Sequence, residues 1–499
     1  MVSFFGSIVI LIACYFIYGK ITERAFGTTD RQTPAFTRSD GVDYIPLPAW
    51  KAFFIQLLNI AGLGPIFGAI TGALWGPAVY LWIVFGTILA GAVHDFFSGM
   101  MSVREDGLSI PEVIGRHLGR FMHMVMRIFS LVLLTLTGVV FMVGPAQLLK
   151  LLMPGFLSVR IWTVIVLTYY LLATFLPVDK IIGRIYPLFG LLLIIMALAV
   201  AGGTIANSGA RPMMELTLEN LYPGKIDAAA GKATGVLPIW PLMFVSVACG
   251  AISGFHSTQS PIVARCIENE KQGRLIFFGA MVAEGIIALI WAAAAIAFFW
   301  NGDGAGTGLS ALKAAGGGGS KSVFQICNGL LGPVGTVLAV LGVIVCPITS
   351  GDTAFRGARM IVFDWFGMDE TKIKSRALVA VILLGVGFLI SFLDYNIVWR
   401  YFSWSNQTLA TIVLWTACAF IRKNNSNYKF CLWLTLIPAI FMTAVCSTYL
   451  LYAPECFNLG SLGATGAKIS NISGIVMAAA LLTLFHFKFI KAKKQDLAL

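Results

Sequence analysis

The chain has 499 residues, of which 58% are hydrophobic and 12% are charged, and its mean hydropathy is +0.85. Soluble domains carry roughly 25% charged residues, so this composition excludes a soluble globular protein and predicts an all-α polytopic membrane protein. The formal net charge of +12 does not indicate a nucleic-acid partner, because the basic residues lie in short loops between apolar runs.

We predict about 13 transmembrane helices, since roughly 20 apolar residues are needed to cross a bilayer. The first is expected to be a retained helix, because it lacks the basic leading segment and the cleavage site of a signal peptide. The predicted spans are residues 2–18, 51–75, 77–101, 121–143, 158–176, 183–206, 238–264, 275–300, 330–355, 377–393, 401–421, 431–452 and 471–490.

The positions of Lys and Arg predict the orientation of these spans. Most of the 35 basic residues fall on the side that the chain reaches after the first span. Cytoplasmic loops carry the excess of Lys and Arg, so we expect the N-terminus outside and the C-terminus in the cytoplasm. In one cytoplasmic loop, Ser109 and Glu112 have the spacing of a capping box, which predicts a short helix through Leu118.

Two glycine-containing stretches interrupt the apolar spans. The first runs from Asn59 to Pro65, and the second runs from Cys249 to Pro261. Each is expected to break a helix at membrane depth, where free backbone groups persist if they line a cavity. The first broken span runs outward and the second runs inward. Matched breaks in two halves of one chain indicate a transporter binding site.

Five spans begin with each break, which predicts a 5+5 inverted repeat with one extra N-terminal and two extra C-terminal helices. This arrangement resembles the LeuT-type fold of the amino-acid/polyamine/cation superfamily. The predicted parts are an N-terminal helix with its loop, a first repeat, an external loop, a second repeat, and two C-terminal helices with a basic tail: 1–50, 51–206, 207–237, 238–421 and 422–499.

Several unusual motifs resemble the carbon starvation protein A family over most of residues 1–421. They are the runs at residues 59–68, 72–77, 94–101, 109–115 and 254–261. The resemblance implies uptake of peptides, and in some members of pyruvate, across the inner membrane of a bacterium. Many members of that family are longer towards the C-terminus.

The first break offers backbone groups to a substrate. A half-helix that starts near Gly62 and Gly64 directs its N-terminus at the membrane midplane, where it suits a carboxylate. The amide of Asn59 can both donate and accept hydrogen bonds. The alternative interpretation is that these glycines serve close helix packing.

The second break offers side chains. The predicted substrate-binding residues here are Gly254, His256, Ser257, Thr258 and Gln259. Such a polar run is costly inside a membrane unless it lines a cavity or finds partners. His256 can titrate near neutral pH, and the alternative is a buried imidazole bonded to a backbone carbonyl.

Further polar residues are candidates for coupling to a proton or a sodium ion. Asp95 and Glu284 are candidate proton carriers, and His94 adjoins Asp95, although successive helix positions diverge by about 100°. By resemblance to LeuT-type transporters, Thr349 and Ser350 are candidate sodium ligands. For Asp95 and Glu284 the alternative is a structural hydrogen bond, and for Asp352 it is an ion pair with Arg356 four residues later. The remaining polar candidates are Asp352, for coupling, and Asn406 and Gln407, which either face the cavity or bridge helices.

The sequence therefore predicts a secondary active transporter that imports di- and tripeptides or related carboxylate nutrients by alternating access. No Walker A motif occurs, and neither an enzyme activity nor a cofactor is expected. The alternatives are a pyruvate or small-monocarboxylate symporter, a nutrient-binding membrane sensor, and a membrane enzyme with a metal held by His94, Asp95 and His256. The oligomeric state is left open.

Overall fold

Nearly all of the apolar sequence is helical in the computed structural model. The structure describes residues 1–41, 43–175, 178–227, 232–300, 309–369, 372–424 and 428–491. The helices, apart from a single turn at Pro34–Thr37, are α1 Val2–Phe26, α2 Ala49–Ile60, α3 Gly64–Trp75, α4 Ala78–Arg104, α5 Ile110–Leu118, α6 Arg120–Leu152, α7 Val159–Ala173, α8 Val178–Ala206, α9 Leu242–Ser246, α10 Ala248–Ala251, α11 Gly254–Ala264, α12 Glu270–Trp300, α13 Ser310–Ala314, α14 Ser320–Phe366, α15 Ile373–Ile390, α16 Tyr395–Asn424, α17 Tyr428–Tyr452 and α18 Gly463–Phe485.

The hydropathy of these helices makes the chain a multi-pass membrane protein. Within the described residues, nine helices are long and apolar enough to span a membrane, and the bent pair of α2 and α3 is a tenth candidate. Helices also overlap the other predicted spans: α7 is short, α9 to α11 are interrupted, and α16 is more polar. The count of 13 spans, the inverted repeat and the domain limits stay predictions.

Burial separates central helices from peripheral ones. The most apolar windows of α4 and α12 are each 83% buried, whereas that of α1 is 17% buried. A helix that is apolar on all sides and buried belongs in the centre of a bundle, and an exposed apolar helix in a membrane protein faces lipid. The candidate residues on α4 and α12 therefore lie in the protein interior.

Both predicted helix breaks are confirmed. The axes of α2 and α3 differ by 56°, and Ala61 between them has non-helical angles of φ −78° and ψ 62°. Between α10 and α11, Ile252 and Ser253 have extended backbone, with φ −159° and ψ 141° and with φ −146° and ψ 123°. Each interruption leaves backbone groups that the hydrocarbon core cannot satisfy.

The loops differ from expectation in two places. The predicted external loop 207–237 contains an antiparallel pair of short strands, β1 Lys225–Asp227 and β2 Lys232–Thr234. The predicted short helix after Ser109 is confirmed as α5, but the capping box is wrong. The Ser109 hydroxyl donates to the Asp364 carboxylate at 3.1 Å, and the Glu112 carboxylate accepts from Arg127. Hydrogen bonds to charged groups are stronger than those to the backbone, so these partners replace the capping box.

Candidate functional site

The two breaks lie side by side. Gly64, at the start of α3, packs so closely on α10 that an added Cβ would lie 2.1 Å from the Cβ of Cys249. On the opposite side of this contact, a Cβ on Gly250 would lie 3.6 Å from Pro65. Small residues let helix backbones approach in this way. The glycines therefore serve close packing and interrupt the helices at the same place.

Two amides of α16 satisfy the second break. The Asn406 side-chain oxygen accepts from the backbone N–H of Phe255 at 2.6 Å and from the Ser253 hydroxyl at 3.1 Å. The Gln407 amide donates to the carbonyls of Ala248 at 3.3 Å and Phe244 at 3.4 Å. Asn406 and Gln407 therefore bridge helices, and their bonds replace those that the interrupted helix lacks.

The first break is held mainly through its carbonyls. The Ser350 hydroxyl of α14 donates to the Leu58 carbonyl at 2.9 Å, and the Cys346 thiol donates to the Ala61 carbonyl. Ser350, a candidate sodium ligand, therefore faces the first break. Thr349 instead donates to the Cys346 carbonyl of its own helix at 2.7 Å. These contacts join α14 to the end of α2.

Asn59 and Gly62 complete the first break in different ways. Asn59 is fully buried, and neither polar atom of its amide has a hydrogen-bond partner among the described residues. A buried polar group without a partner is costly and needs an explanation. Next to it, Gly62 packs against Phe141, where an added Cβ would lie 2.3 Å from the ring.

Asp95 joins two imidazoles in the interior. Its two carboxylate oxygens each lie 2.8 Å from an imidazole Nδ1, one from His94 and the other from His256. The Nε2 of His256 lies 3.3 Å from an oxygen of Glu284, close enough for an ion pair but not aligned as a hydrogen bond. All four side chains are fully buried. The structure thus brings together four predicted residues from α4, α11 and α12.

The contact between His94 and Asp95 was not predicted from their positions on the helix. Both side chains are long enough to meet across the surface of α4, so the angular separation of their Cα positions does not keep them apart. A carboxylate accepts hydrogen bonds, so we assign a proton to the Nδ1 of each histidine. His256 can then carry a second proton on Nε2, or Glu284 can hold that proton instead.

Serines extend this network towards the first break. The Ser98 hydroxyl of α4 donates to the Ser260 hydroxyl of α11 at 3.2 Å. The Gln56 amide of α2 donates to the same Ser260 oxygen at 3.4 Å. None of these three was predicted as a site residue. Each of the three is a polar residue within an apolar helix, and the sequence shows that much. The sequence does not show that the three side chains meet.

The other predicted residues lie outside this network. Ser257 and Thr258 donate to the Gly254 and Phe255 carbonyls of their own helix, each at 2.6 Å. The Gln259 amide donates to Thr258 at 3.0 Å. Asp352 is buried on α14, one residue from Gly351, which packs against the Tyr170 hydroxyl. The polar run after Gly254 thus contributes chiefly His256 and Ser260 to the interior cluster.

The suggested metal site has no geometric support. Among the described residues, no group of three or more His, Cys, Asp or Glu side chains is arranged to hold a metal ion. His94 and His256 approach different oxygens of Asp95 through Nδ1, so those nitrogens are committed to hydrogen bonds. A metal held by these three residues stays a prediction.

A cavity of about 400 Å³ lies beyond the breaks, on the side that the charge distribution predicts to be external. We call it the outer cavity; α3, α9 and the start of α16 line it. A series of aromatic rings lies between this cavity and His256. The ring centres of Trp399 and Phe402 are 5.5 Å apart, those of Phe402 and Phe141 are 6.0 Å apart, and those of Phe141 and Phe255 are 5.7 Å apart. The buried network is therefore closed from this side by a layer of rings.

Ion pairs close the opposite side. The fully buried carboxylate of Glu270 lies 2.9 Å from Arg31 and 3.3 Å from Arg104. It also accepts from the Thr29 backbone N–H at 2.8 Å. These contacts tie the segment after α1 to the start of α12 and to the end of α4. The structure thus has a cavity on one side of the buried network and paired charges on the other.

Solved structures with a similar fold are transporters. The manganese transporter of Eremococcus coleocola, in complex with an aromatic bis-isothiourea compound, aligns with a TM-score of 0.58 at 14% identity. The alignment covers 92% of this chain and 99% of the other. At this identity the likeness shows the fold alone and carries no substrate.

The sequence relatives include proteins with a named activity and proteins without one. An uncharacterized membrane protein of Haemophilus influenzae is 44% identical over 63% of this chain and 96% of its own length. The peptide transporter CstA of Helicobacter pylori and the pyruvate/proton symporter BtsT of Escherichia coli are each 27% identical, over 52% and 56% of this chain. The matches span 45% and 47% of those two relatives, about half of their length.

The family assignment rests on most of the chain. The sequence profile of the carbon starvation protein CstA family matches residues 1–151, 146–301 and 310–449, which include both breaks and the buried network. The relatives with a described activity are transporters. The chain is a membrane transporter that belongs to the carbon starvation protein CstA family.

Proposed function

We propose that this transporter is a proton-driven importer of small peptides or related carboxylate nutrients. The observation that carries the proposal is the contact between two broken helices beside a buried His–Asp–His–Glu network. Transporters of this general design bind substrate at such breaks and alternate access around them. We further propose that the fold is a 5+5 inverted repeat, that the N-terminus is external, and that the protein lies in the inner membrane of a bacterium.

The first break supplies the proposed contacts for a substrate carboxylate. The helix α3 starts there, and its N-terminus presents backbone N–H groups and the positive end of a helix dipole. Asn59, in the last turn of α2, adds a buried donor and a buried acceptor. A carboxylate that accepts from both would relieve the unsatisfied amide.

The buried network supplies the proposed proton site. His256 stands between two carboxylates, Asp95 at 2.8 Å and Glu284 at 3.3 Å. A proton can rest on His256 or on Glu284 with little movement of either side chain. A group that changes charge inside the membrane alters its preference for water on either side, which ties proton movement to the change of access.

Sodium is the rival coupling ion. Ser350 faces the Leu58 carbonyl, and hydroxyl and carbonyl oxygens are the ligands that hard cations prefer. In the structure that hydroxyl donates to the carbonyl, so a sodium ion there would replace this hydrogen bond. The titratable network has no such need, and for this reason the proposal favours the proton.

Pyruvate is the rival substrate. It is named for one relative, whereas peptides are named for several. Both substrates carry a carboxylate, so the first break suits either. The distinction depends on what recognises the rest of the molecule.

The decisive experiment is uptake by the purified full chain in proteoliposomes. Labelled dialanine and labelled pyruvate would be tested under an imposed proton gradient, an imposed sodium gradient, both, and neither. We expect concentrative uptake with the proton gradient alone. Uptake that needs sodium and is lost in Ser350→Ala would move the coupling site to α14. No uptake of either substrate under any gradient would contradict the proposed function.

A further inference from the structure

The outer cavity carries charges of both signs that the buried site does not use. Lys313 of α13 and Arg400 of α16 line it, and so does Glu455, which follows α17. The Arg400 Nε lies 3.7 Å from a Glu455 carboxylate oxygen, and the Tyr449 hydroxyl donates to the other oxygen. Two cations and one carboxylate thus face the same space of about 400 Å³.

The two cations keep donors to spare. Lys313 donates to the Pro223 carbonyl at 2.8 Å and lies 4.8 Å from the centre of the Tyr222 ring. An ammonium has three N–H donors and a guanidinium has five, so one bond for Lys313 and one ion pair for Arg400 do not exhaust either. Both can bind an incoming carboxylate without giving up their present partners.

Hydroxyl oxygens that line the same cavity are available as acceptors. Thr71, Ser246 and Ser403 each donate to a carbonyl one turn earlier in their own helix, at 2.7, 2.8 and 2.9 Å. A hydroxyl that has used its hydrogen still has lone pairs that can accept. These oxygens, together with Glu455, suit an ammonium group.

From this arrangement we propose that the outer cavity is a first binding site for zwitterionic small peptides. The free α-carboxylate binds Lys313 and Arg400, and the α-ammonium binds Glu455 and the hydroxyls. The volume falls within the range of about 300–1,000 Å³ typical of ligand pockets. It exceeds what a three-carbon monocarboxylate fills, and such an anion has no group for Glu455. The inference rests on the proposed function and adds an outer binding site to it.

Steady-state uptake tests this inference in proteoliposomes of the full chain. Initial rates of dialanine uptake would be measured for Lys313→Gln and Arg400→Gln, with Lys321→Gln as a control that removes an exposed lysine of the same external region. We expect each cavity variant to raise KM by about tenfold or more, as the loss of a charged hydrogen bond implies, with a maximal rate near that of the unmodified protein. Arg400→Lys should recover part of the affinity.

Chemically blocked competitors identify which end of the peptide binds where. Dialanine amide, which lacks the carboxylate, should compete about tenfold more weakly than dialanine, and N-acetyl-dialanine should lose the advantage that Glu455 gives. In Glu455→Gln, dialanine and N-acetyl-dialanine should compete more nearly alike. Monodisperse elution from a size-exclusion column would establish that each variant is folded. Lys313→Gln keeps the test valid if Arg400→Gln fails to fold.

The failures are distinguishable. If the unmodified protein takes up dialanine and the KM values of Lys313→Gln and Arg400→Gln match that of Lys321→Gln, the outer cavity is not a binding site, while the proposed function stands. If pyruvate is taken up and dialanine is not, the zwitterion assignment is wrong for a working transporter. If neither is taken up under any gradient, both proposals fail.

Discussion

The two helix breaks touch each other, yet they are built differently. At the second break, Asn406 and Gln407 bind the interrupted backbone, and His256 enters a network of buried charges. At the first, partners reach carbonyls at the end of α2, while the Asn59 amide has no partner among the described residues. The second break is therefore held by the side chains of Asn406 and Gln407, whereas the first break contains a buried amide that has no hydrogen-bond partner among the described residues.

This difference assigns separate tasks to the two breaks. A fixed break can hold a titratable group at a constant distance from its partners, as His256 is held beside Asp95. A break with unsatisfied groups can take a ligand, because binding relieves the cost of burying them. We therefore expect changes at the second break to affect coupling and folding, and changes at the first to affect affinity.

The largest expected effect is on accumulation in Asp95→Asn. The substitution keeps the shape but removes the charge that accepts from His94 and His256. Breaking a buried ion pair costs about 3–5 kcal/mol, so we expect proton-driven accumulation to fall by at least about a hundredfold. Equilibrium exchange of labelled substrate, which needs no net proton movement, should fall much less. Equal loss of both activities would indicate a defect in folding or binding instead.

The next effect is the contrast between Gly254→Ala and Gly62→Ala. A Cβ on Gly254 would lie 2.4 Å from the Asn406 carbonyl oxygen, which is backbone, whereas on Gly62 it would meet the end of the Phe141 ring. Overpacking costs about 1–3 kcal/mol, and more where backbone must move. We expect little folded Gly254→Ala after extraction in detergent, and a folded but slower Gly62→Ala. The reverse order of yields would show that the second break is the more adaptable one.

A third effect separates binding from stability at Asn59. Asn59→Ala removes a buried amide without a partner, so thermal stability should be unchanged or higher. If a substrate carboxylate uses that amide, KM should rise by about tenfold. The matched control is Asn207→Ala, whose amide donates to the Gly203 and Leu330 carbonyls and should affect stability without changing KM. A loss of stability in Asn59→Ala with KM unchanged would make Asn59 structural.

How much of this could be read from the sequence differs between the breaks. Gly62, Gly64 and Pro65, like Gly250 and Gly254, are helix breakers within apolar runs, so both interruptions could be predicted from local pattern. The membrane class and the family followed from composition and from long motifs. These features depend on residues that lie close together in the chain.

The buried network could be predicted only as separate parts. Asp95, His256 and Glu284 were each candidates, but their meeting depends on how α4, α11 and α12 rotate against one another, which hydropathy does not determine. The contact of His94 with Asp95 was missed because side-chain reach outweighed helical spacing. The roles of Asn406 and Gln407 were left open for the same reason, since a polar residue in an apolar helix does not reveal its partner.

The smallest expected effect lies far from both breaks, at Glu112 on α5. Burial opposes ionisation of this carboxyl, but His123 at 2.8 Å and Arg127, which donates at 2.7 Å, outweigh it and hold the pKa of Glu112 below its ordinary value. A lowered pKa stabilises the folded protein above the unfolded value of about 4.3, and that contribution is lost as the pH falls through the folded pKa.

Glu112→Gln should therefore lower the apparent melting temperature by a few degrees at pH 7, with a difference that shrinks below about pH 4. A pH series of thermal unfolding in detergent measures it, and the ratio of accumulation to exchange should stay unchanged. A difference that grows on acidification would mean that the contacts of Glu112 with His123 and Arg127 do not stabilise the fold.

The most direct test of the central claim is a double-mutant cycle across the contact between the breaks. Gly64→Ala places a Cβ 2.1 Å from that of Cys249, and Cys249→Gly removes the atom it would strike. If the broken helices touch as described, Gly64→Ala alone should lose most transport and thermal stability. The pair Gly64→Ala with Cys249→Gly should recover a large part of both, with a coupling energy above about 1 kcal/mol. Additive effects of the two substitutions would contradict the account, because they would place the breaks apart.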